Sequence, residues 1–160
     1  MKSIFLVGFM GAGKTHTAYY LSSIFKLPFY DTDRTITEKT GKSIPQIFND
    51  ENEAFFRNLE QEVITGWNRS GIIATGGGCV QNTEIRDFLK RDEHLTIWLN
   101  PGWEIVWQRI CSSNRPLVNK MDEIELKALY KKRELFYREV ADLIFEGNDL
   151  EDLVEMIEGN

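Results

Sequence analysis

An apolar run, Ile4-Phe5-Leu6-Val7, leads directly into Gly8-Phe9-Met10-Gly11-Ala12-Gly13-Lys14-Thr15, and no other stretch constrains the chain as strongly. The second segment matches G-x-x-x-x-G-K-[ST], a spacing with a chemical reason. Glycines let successive backbone N–H groups turn inward around phosphate oxygens. A helix starting at the end of the loop aims its positive end at the same oxygens. Lys14 then reaches the outer phosphates of a nucleoside triphosphate, and the Thr15 hydroxyl suits a Mg²⁺ ion. The motif has meaning only between a strand and a helix. Here the apolar run precedes it, and Ala18, Leu21 and Phe25 follow at helical spacing. His16 reads as a first-turn helix residue offering its backbone N–H.

The remaining chain repeats this alternation. Pro28 ends the first helix, and Phe29-Tyr30-Asp31 reads as a second strand. A helix is expected over about 51–69, with Phe56, Leu59, Val63 and Trp67 on one stripe. Ile72–Thr75 reads as a third strand, stopped by Gly76-Gly77-Gly78. A helix near 83–90, a strand Leu95–Leu99 and a helix from Pro101 to about Cys111 follow. Residues 112–121 read as a polar, mobile loop. A helix over about 122–139, a strand Leu143-Ile144-Phe145 and a last helix complete the pattern. Strand–helix alternation implies a parallel sheet covered by helices on both faces, with ligands bound beyond the carboxyl ends of its strands.

Composition narrows the partners. The 160 residues fit one domain, 1–160, and carry a net charge of -6, which disfavours nucleic acid. Cys79 and Cys111 are the only cysteines and have no CxxC spacing, which argues against a zinc site or disulfide scaffold. No segment approaches the roughly 20 apolar residues of a membrane span. The apolar run at the N-terminus is too short for a secretory signal. The expectation is a cytoplasmic protein with no membrane partner.

Several charged residues stand where bland sequences do not put them. Asp31 and Asp33 are spaced to share one face of an extended segment, suiting a metal-water ligand and a group that orients or deprotonates a hydroxyl. A turn and helix cap is the other reading. Arg57 lies off its helix's apolar stripe, where Glu60 can brace it; a solvated surface pair is the alternative. Arg133 falls in the middle of the stripe Leu126, Leu129, Tyr130, Phe136, Tyr137 and Val140. A guanidinium there needs an anion, because burying an unpaired charge costs about several kcal/mol. That anion is either a ligand carboxylate or an internal acid such as Asp33 or Glu60. Arg115, before Pro116, reads as a lid arginine or a solvated loop charge. Three glycines after a buried strand suggest close approach of a ligand to backbone, with a flexible connection as the alternative.

Taken together, GFMGAGKT, DTD, FRNLE, ATGGG, NRPL and REVAD, in this order, resemble the shikimate kinase family over nearly the whole chain. The resemblance implies a three-layer P-loop NTPase fold of α/β class, with a five-stranded parallel sheet in order 2-3-1-4-5. It implies ATP and shikimate as small-molecule substrates, Mg²⁺ as cofactor, a monomer, and transfer of the γ-phosphate to the 3-hydroxyl of shikimate, a step toward chorismate and aromatic amino acids. It further implies ATP binding by Gly11, Ala12, Gly13, Lys14, Thr15, His16, Arg109 and Arg115. Thr15 and, through water, Asp31 would serve the metal. Asp33, Arg57, Gly77, Gly78 and Arg133 would hold shikimate, with Lys14, Asp33 and Arg115 catalytic. A substrate-binding helical region is expected at about 32–61 and a lid at about 112–122. His16 replaces the family's usual Ser or Thr, and Leu135 a frequent Pro. A gluconate-type kinase and a nucleotide-binding domain without transfer activity are the alternative readings.

Overall fold

The computed structural model describes residues 3–160. Strand β1 (Ser3–Val7) passes through the glycine loop into α1 (Lys14–Phe25), and β2 (Phe29–Asp31) follows. Helices α2 (Thr32–Thr40), α3 (Ile44–Asp50) and α4 (Glu53–Thr65) lead to β3 (Ile72–Ala74). After a short 3-10 helix at Cys79–Gln81 come α5 (Thr83–Leu89), β4 (His94–Leu99), α6 (Trp103–Ile110), α7 (Pro116–Lys120), α8 (Glu123–Val140), β5 (Leu143–Phe145) and α9 (Leu150–Glu158).

The five strands form one parallel sheet in the order β2-β3-β1-β4-β5. Strand alternation explains why β1 is apolar at every inner position. Phe5 and Val7 enter one core with Phe88, Trp98, Ile110, Tyr130 and Tyr137. Ile4 and Leu6 enter a second core on the opposite face with Ala18, Leu21, Leu153 and Ile157. A third, smaller cluster of Ile36, Ile47 and Phe56 joins α2, α3 and α4. Because all strands run the same way, Val7, Asp31, Ala74, Leu99 and Phe145 end at one edge, and the functional loops collect there.

Three expectations are corrected. Residues 112–121 are not all loop, since Pro116 starts α7 at the position where a missing N–H costs nothing. The helix predicted over 51–69 is shorter at both ends: Asn52 caps it, Gly66 stops it, and Trp67 lies beyond it. Its buried residues are Phe56, Glu60 and Ile64; of the stripe read from periodicity only Phe56 is fully buried. Asp31 and Asp33 do not share an extended segment. Asp31 ends β2 and caps α2, accepting from the N–H groups of Asp33 at 2.9 Å and Arg34 at 3.2 Å.

Candidate active site

A cavity of about 700 Å³ opens at the carboxyl edge of the sheet. Gly11 and Gly13 take φ values of 78° and 95°, which L side chains rarely adopt, and they fold the loop along the cavity wall. Gly13 is the N-cap of α1 and has no capping side chain. The N–H groups of Gly11, Gly13, Lys14, Thr15 and His16 therefore have no hydrogen-bond partner among the described residues, while Ala12 and Thr17 are satisfied locally. These free donors at a helix N-terminus form an anion cradle. Lys14 spans the loop, donating to the Gly8 carbonyl at 2.7 Å and the Phe9 carbonyl at 3.0 Å. Burial lowers its pKa to about 8, against the opposing charges of Asp33 and Asp31.

Across the cavity the Thr15 hydroxyl donates to Asp31 at a long 3.4 Å. Both are hard oxygen donors, and a small divalent cation such as Mg²⁺, which takes few protein ligands, fits this pair. The capping and metal-facing readings of Asp31 are thus compatible. One carboxylate oxygen holds α2, and the other faces Thr15. Asp33, two residues further, keeps Oδ1 buried and without a hydrogen-bond partner. Burial and the Asp31 charge push its pKa up, opposed by Lys14 and Arg57. A carboxylate in that state is suited to receive a ligand hydroxyl.

Beyond Gly76 the site changes character. Glu60 is 1% exposed. Arg57 donates to its Oε2 at 2.7 Å, whereas its Oε1 has no partner. The pair is therefore not a surface pair: its carboxylate is buried and its guanidinium half-buried. Burial raises the Glu60 pKa, and Arg57 opposes the rise. Arg133 is buried on α8, as its place in the apolar stripe predicts. It forms no salt bridge among the described residues, so neither internal acid considered for it pairs with it directly, although the Glu60 charge acts on it from a distance. Burial, with the charge of Arg57 nearby, lowers its pKa. The three glycines give these groups room. A Cβ on Gly76 would stand 2.6 Å from Glu60 Oε1 and 3.1 Å from Asp33 Oδ1. On Gly78 it would stand 2.7 Å from Arg57 and 3.0 Å from Arg133. The close approach read from the sequence is thus made first by the protein's own charges. Tyr137, fully buried and stacked on Trp98, donates to the Gly77 carbonyl.

Arg109 donates to the Gly11 carbonyl at 3.0 Å and lines the cavity with Leu99, Pro101, Phe145, Gly147 and Asn148. Arg115, the residue before α7, reaches the same wall, as does His16. Asp31, Asp33, Gly77 and all the ATP-binding candidates line this cavity; Arg57, Gly78 and Arg133 are not on its wall but lie behind the glycine turn. Sequence reasoning missed Gln81, Phe9 and Tyr137 as supports of Arg133 and the turn. Phe9 and Gln81 carry no periodic signal, and Tyr137 reads as ordinary core.

A family model described as shikimate kinase matches residues 10–158. Shikimate kinase of Staphylococcus epidermidis is 41% identical over 140 residues, covering 86% of this chain and 82% of that protein. Shikimate kinase of Streptococcus suis is 37% identical over 153 residues, covering 92% and 91%. Among solved structures, shikimate kinase from Acinetobacter baumannii in complex with shikimate aligns with a TM-score of 0.90 at 35% identity, over 100% of this chain and 94% of that one. Deoxyadenosine kinase from M. mycoides, at 15% identity and a TM-score of 0.57, shares the fold alone.

Proposed function

The chain belongs to the shikimate kinase family, and from that premise we propose how its residues divide the work of moving the γ-phosphate of ATP to the 3-hydroxyl of shikimate. The observation that carries the reading is Arg133: a buried guanidinium with no acid of its own, beside a second guanidinium. Such a group favours an anionic ligand, and a carboxylate accepts two parallel hydrogen bonds from it.

The free N–H groups of the loop hold the triphosphate. Lys14 exchanges its two carbonyl acceptors for phosphate oxygens and neutralises charge as it builds. Thr15 and, through water, Asp31 would hold Mg²⁺, which would supply further neutralisation of the phosphates. Arg57 and Arg133 grip the carboxylate of shikimate, and the N–H groups of Gly77 and Gly78 contact its ring substituents. Asp33 orients the reacting hydroxyl and takes its proton as the new O–P bond forms and the bond to ADP breaks. The catalytic demand is positioning and charge stabilisation.

Residues 112–122 act as the lid. Closing over the cavity, they bring Arg115 to the transferred phosphate and exclude water. Helices in the region 32–61 carry the acid-binding side, and Arg109 packs on the adenine. The family resemblance supports a cytoplasmic monomer, which sedimentation of the purified protein would check. The test of the reaction is ADP release with Mg²⁺-ATP against a panel of shikimate, gluconate and related polyol acids. Release that depends on shikimate is expected. Turnover of gluconate alone, or nucleotide binding without turnover of any acid, would overturn it.

A further inference from the structure

The two guanidiniums behind the glycine turn are held in different ways. Arg57 has Glu60 at 2.7 Å and the exposed Glu53 at 3.6 Å. Arg133 rests only on neutral groups. Its Cζ lies 5.6 Å from the centre of the Phe9 ring. With its amide oxygen turned to the donors, Gln81 accepts from Arg133 Nε at 2.7 Å and from Nη2 at 3.0 Å. Gln81 is well placed for this, since it ends the 3-10 helix after the glycine turn and its N–H donates to the Gly78 carbonyl at 3.1 Å.

A carboxylate at this position would make the same two contacts with more strength, because charge-assisted hydrogen bonds are the stronger kind. It would also cancel the charge of Arg133. An amide fixes the plane of the guanidinium and leaves the charge unspent. Glu60, the one buried carboxylate in ion-pair contact with either guanidinium among the described residues, is taken by Arg57. Glu53, the second acid near Arg57, is exposed and screened by solvent, so the cluster sets two guanidiniums against one buried carboxylate, which matches a ligand with a single carboxylate.

We infer that Gln81 is a positioning residue for the acid-binding arginine, and that its neutrality sets how strongly Arg133 binds a carboxylate. The inference rests on the reading that Arg133 receives the substrate's acid. It separates orientation from charge, which a purely structural role does not.

The test compares wild type, Gln81→Glu and Gln81→Ala by calorimetric titration with shikimate. A second titration uses cyclohexanecarboxylate, which has the carboxylate without the ring hydroxyls. Gln81 is exposed, so both variants should fold, and melting temperatures verify this. Gln81→Glu is expected to hold or raise the melting temperature yet weaken both ligands about 10-fold or more, and Gln81→Ala to weaken them about threefold. A Gln81→Glu loss of more than about threefold that also exceeds the Gln81→Ala loss supports the inference, and anything smaller overturns it. If wild type binds cyclohexanecarboxylate but does not turn over shikimate, the proposed reaction fails while this comparison still decides the role of Gln81. Wild type that binds neither acid contradicts the inference as well.

Discussion

The phosphate loop and the proposed acid-binding corner behind Gly76–Gly78 both offer cationic or N–H donors to an anion, yet they are built from different material. The loop uses backbone. Its donors are N–H groups left free by the start of α1, and one short segment supplies them all. The corner uses side chains from α4, α8 and the turn after β3, brought together from more than seventy residues apart by the fold. Backbone donors are neutral and rigid, so an empty loop costs little. Guanidiniums carry full charge; Arg57 shares its own with Glu60, while the buried Arg133 needs a support that does not consume it. A phosphate site can thus be encoded locally, whereas an acid site of this kind depends on the whole domain.

This contrast gives predictions that break one side and spare the other. Lys14→Met should have the largest effect, lowering turnover by about 10²–10³-fold or more, by analogy with loss of one preorganised electrostatic donor. Its shikimate affinity, measured by titration, should stay near wild type. Near-normal turnover would remove Lys14 from the phosphate half. Gly78→Ala should affect only the corner. The new Cβ would stand within 3.0 Å of both guanidiniums, and these are ends of flexible side chains. They move aside at little cost in stability, and the clamp loses its geometry. Steady-state kinetics should show the KM for shikimate raised about 10-fold and the KM for ATP unchanged.

The smallest effect concerns neither half. His94 is buried at the start of β4 between the rings of Phe5 and Phe88, at 5.1 and 4.4 Å, and neither ring nitrogen has a hydrogen-bond partner. Burial lowers its pKa, opposed by the nearby Glu93 carboxylate. The unfolded chain takes up a proton at this histidine near the ordinary value of about 6.5, and the folded chain takes it up only lower. Stability should therefore fall as pH drops through that window, and His94→Phe should flatten the melting-temperature profile below about pH 6.5. An unchanged profile would show that His94 does not titrate on unfolding.

The sequence made the loop legible because each element of its function is local. Gly8, Lys14 and Thr15 have fixed offsets, and the flanking strand and helix announce themselves by period. Arg133 was legible for the opposite reason, as a charge in the wrong place within a helical stripe. The sheet order came from the family resemblance, and the structure shows it. Less was visible where two requirements met in one residue. Asp31 looked like either a cap or a metal-facing acid, and its geometry allows both, because one oxygen caps α2 and the other faces the Thr15 hydroxyl. Glu60 looked like a surface brace, since periodicity assigns the buried stripe to apolar residues; in fact the carboxylate is buried because Arg57 accompanies it. Gln81 gave no signal, because a glutamine in a short turn is unremarkable until Arg133 is placed beside it.

Arg133→Ala, titrated separately with shikimate and with nucleotide, is the most direct measurement of the claim that an unbalanced buried cation receives the acid. Shikimate should bind about 10- to 150-fold more weakly, with nucleotide affinity within about twofold of wild type. Unchanged shikimate affinity in a folded variant would contradict the claim.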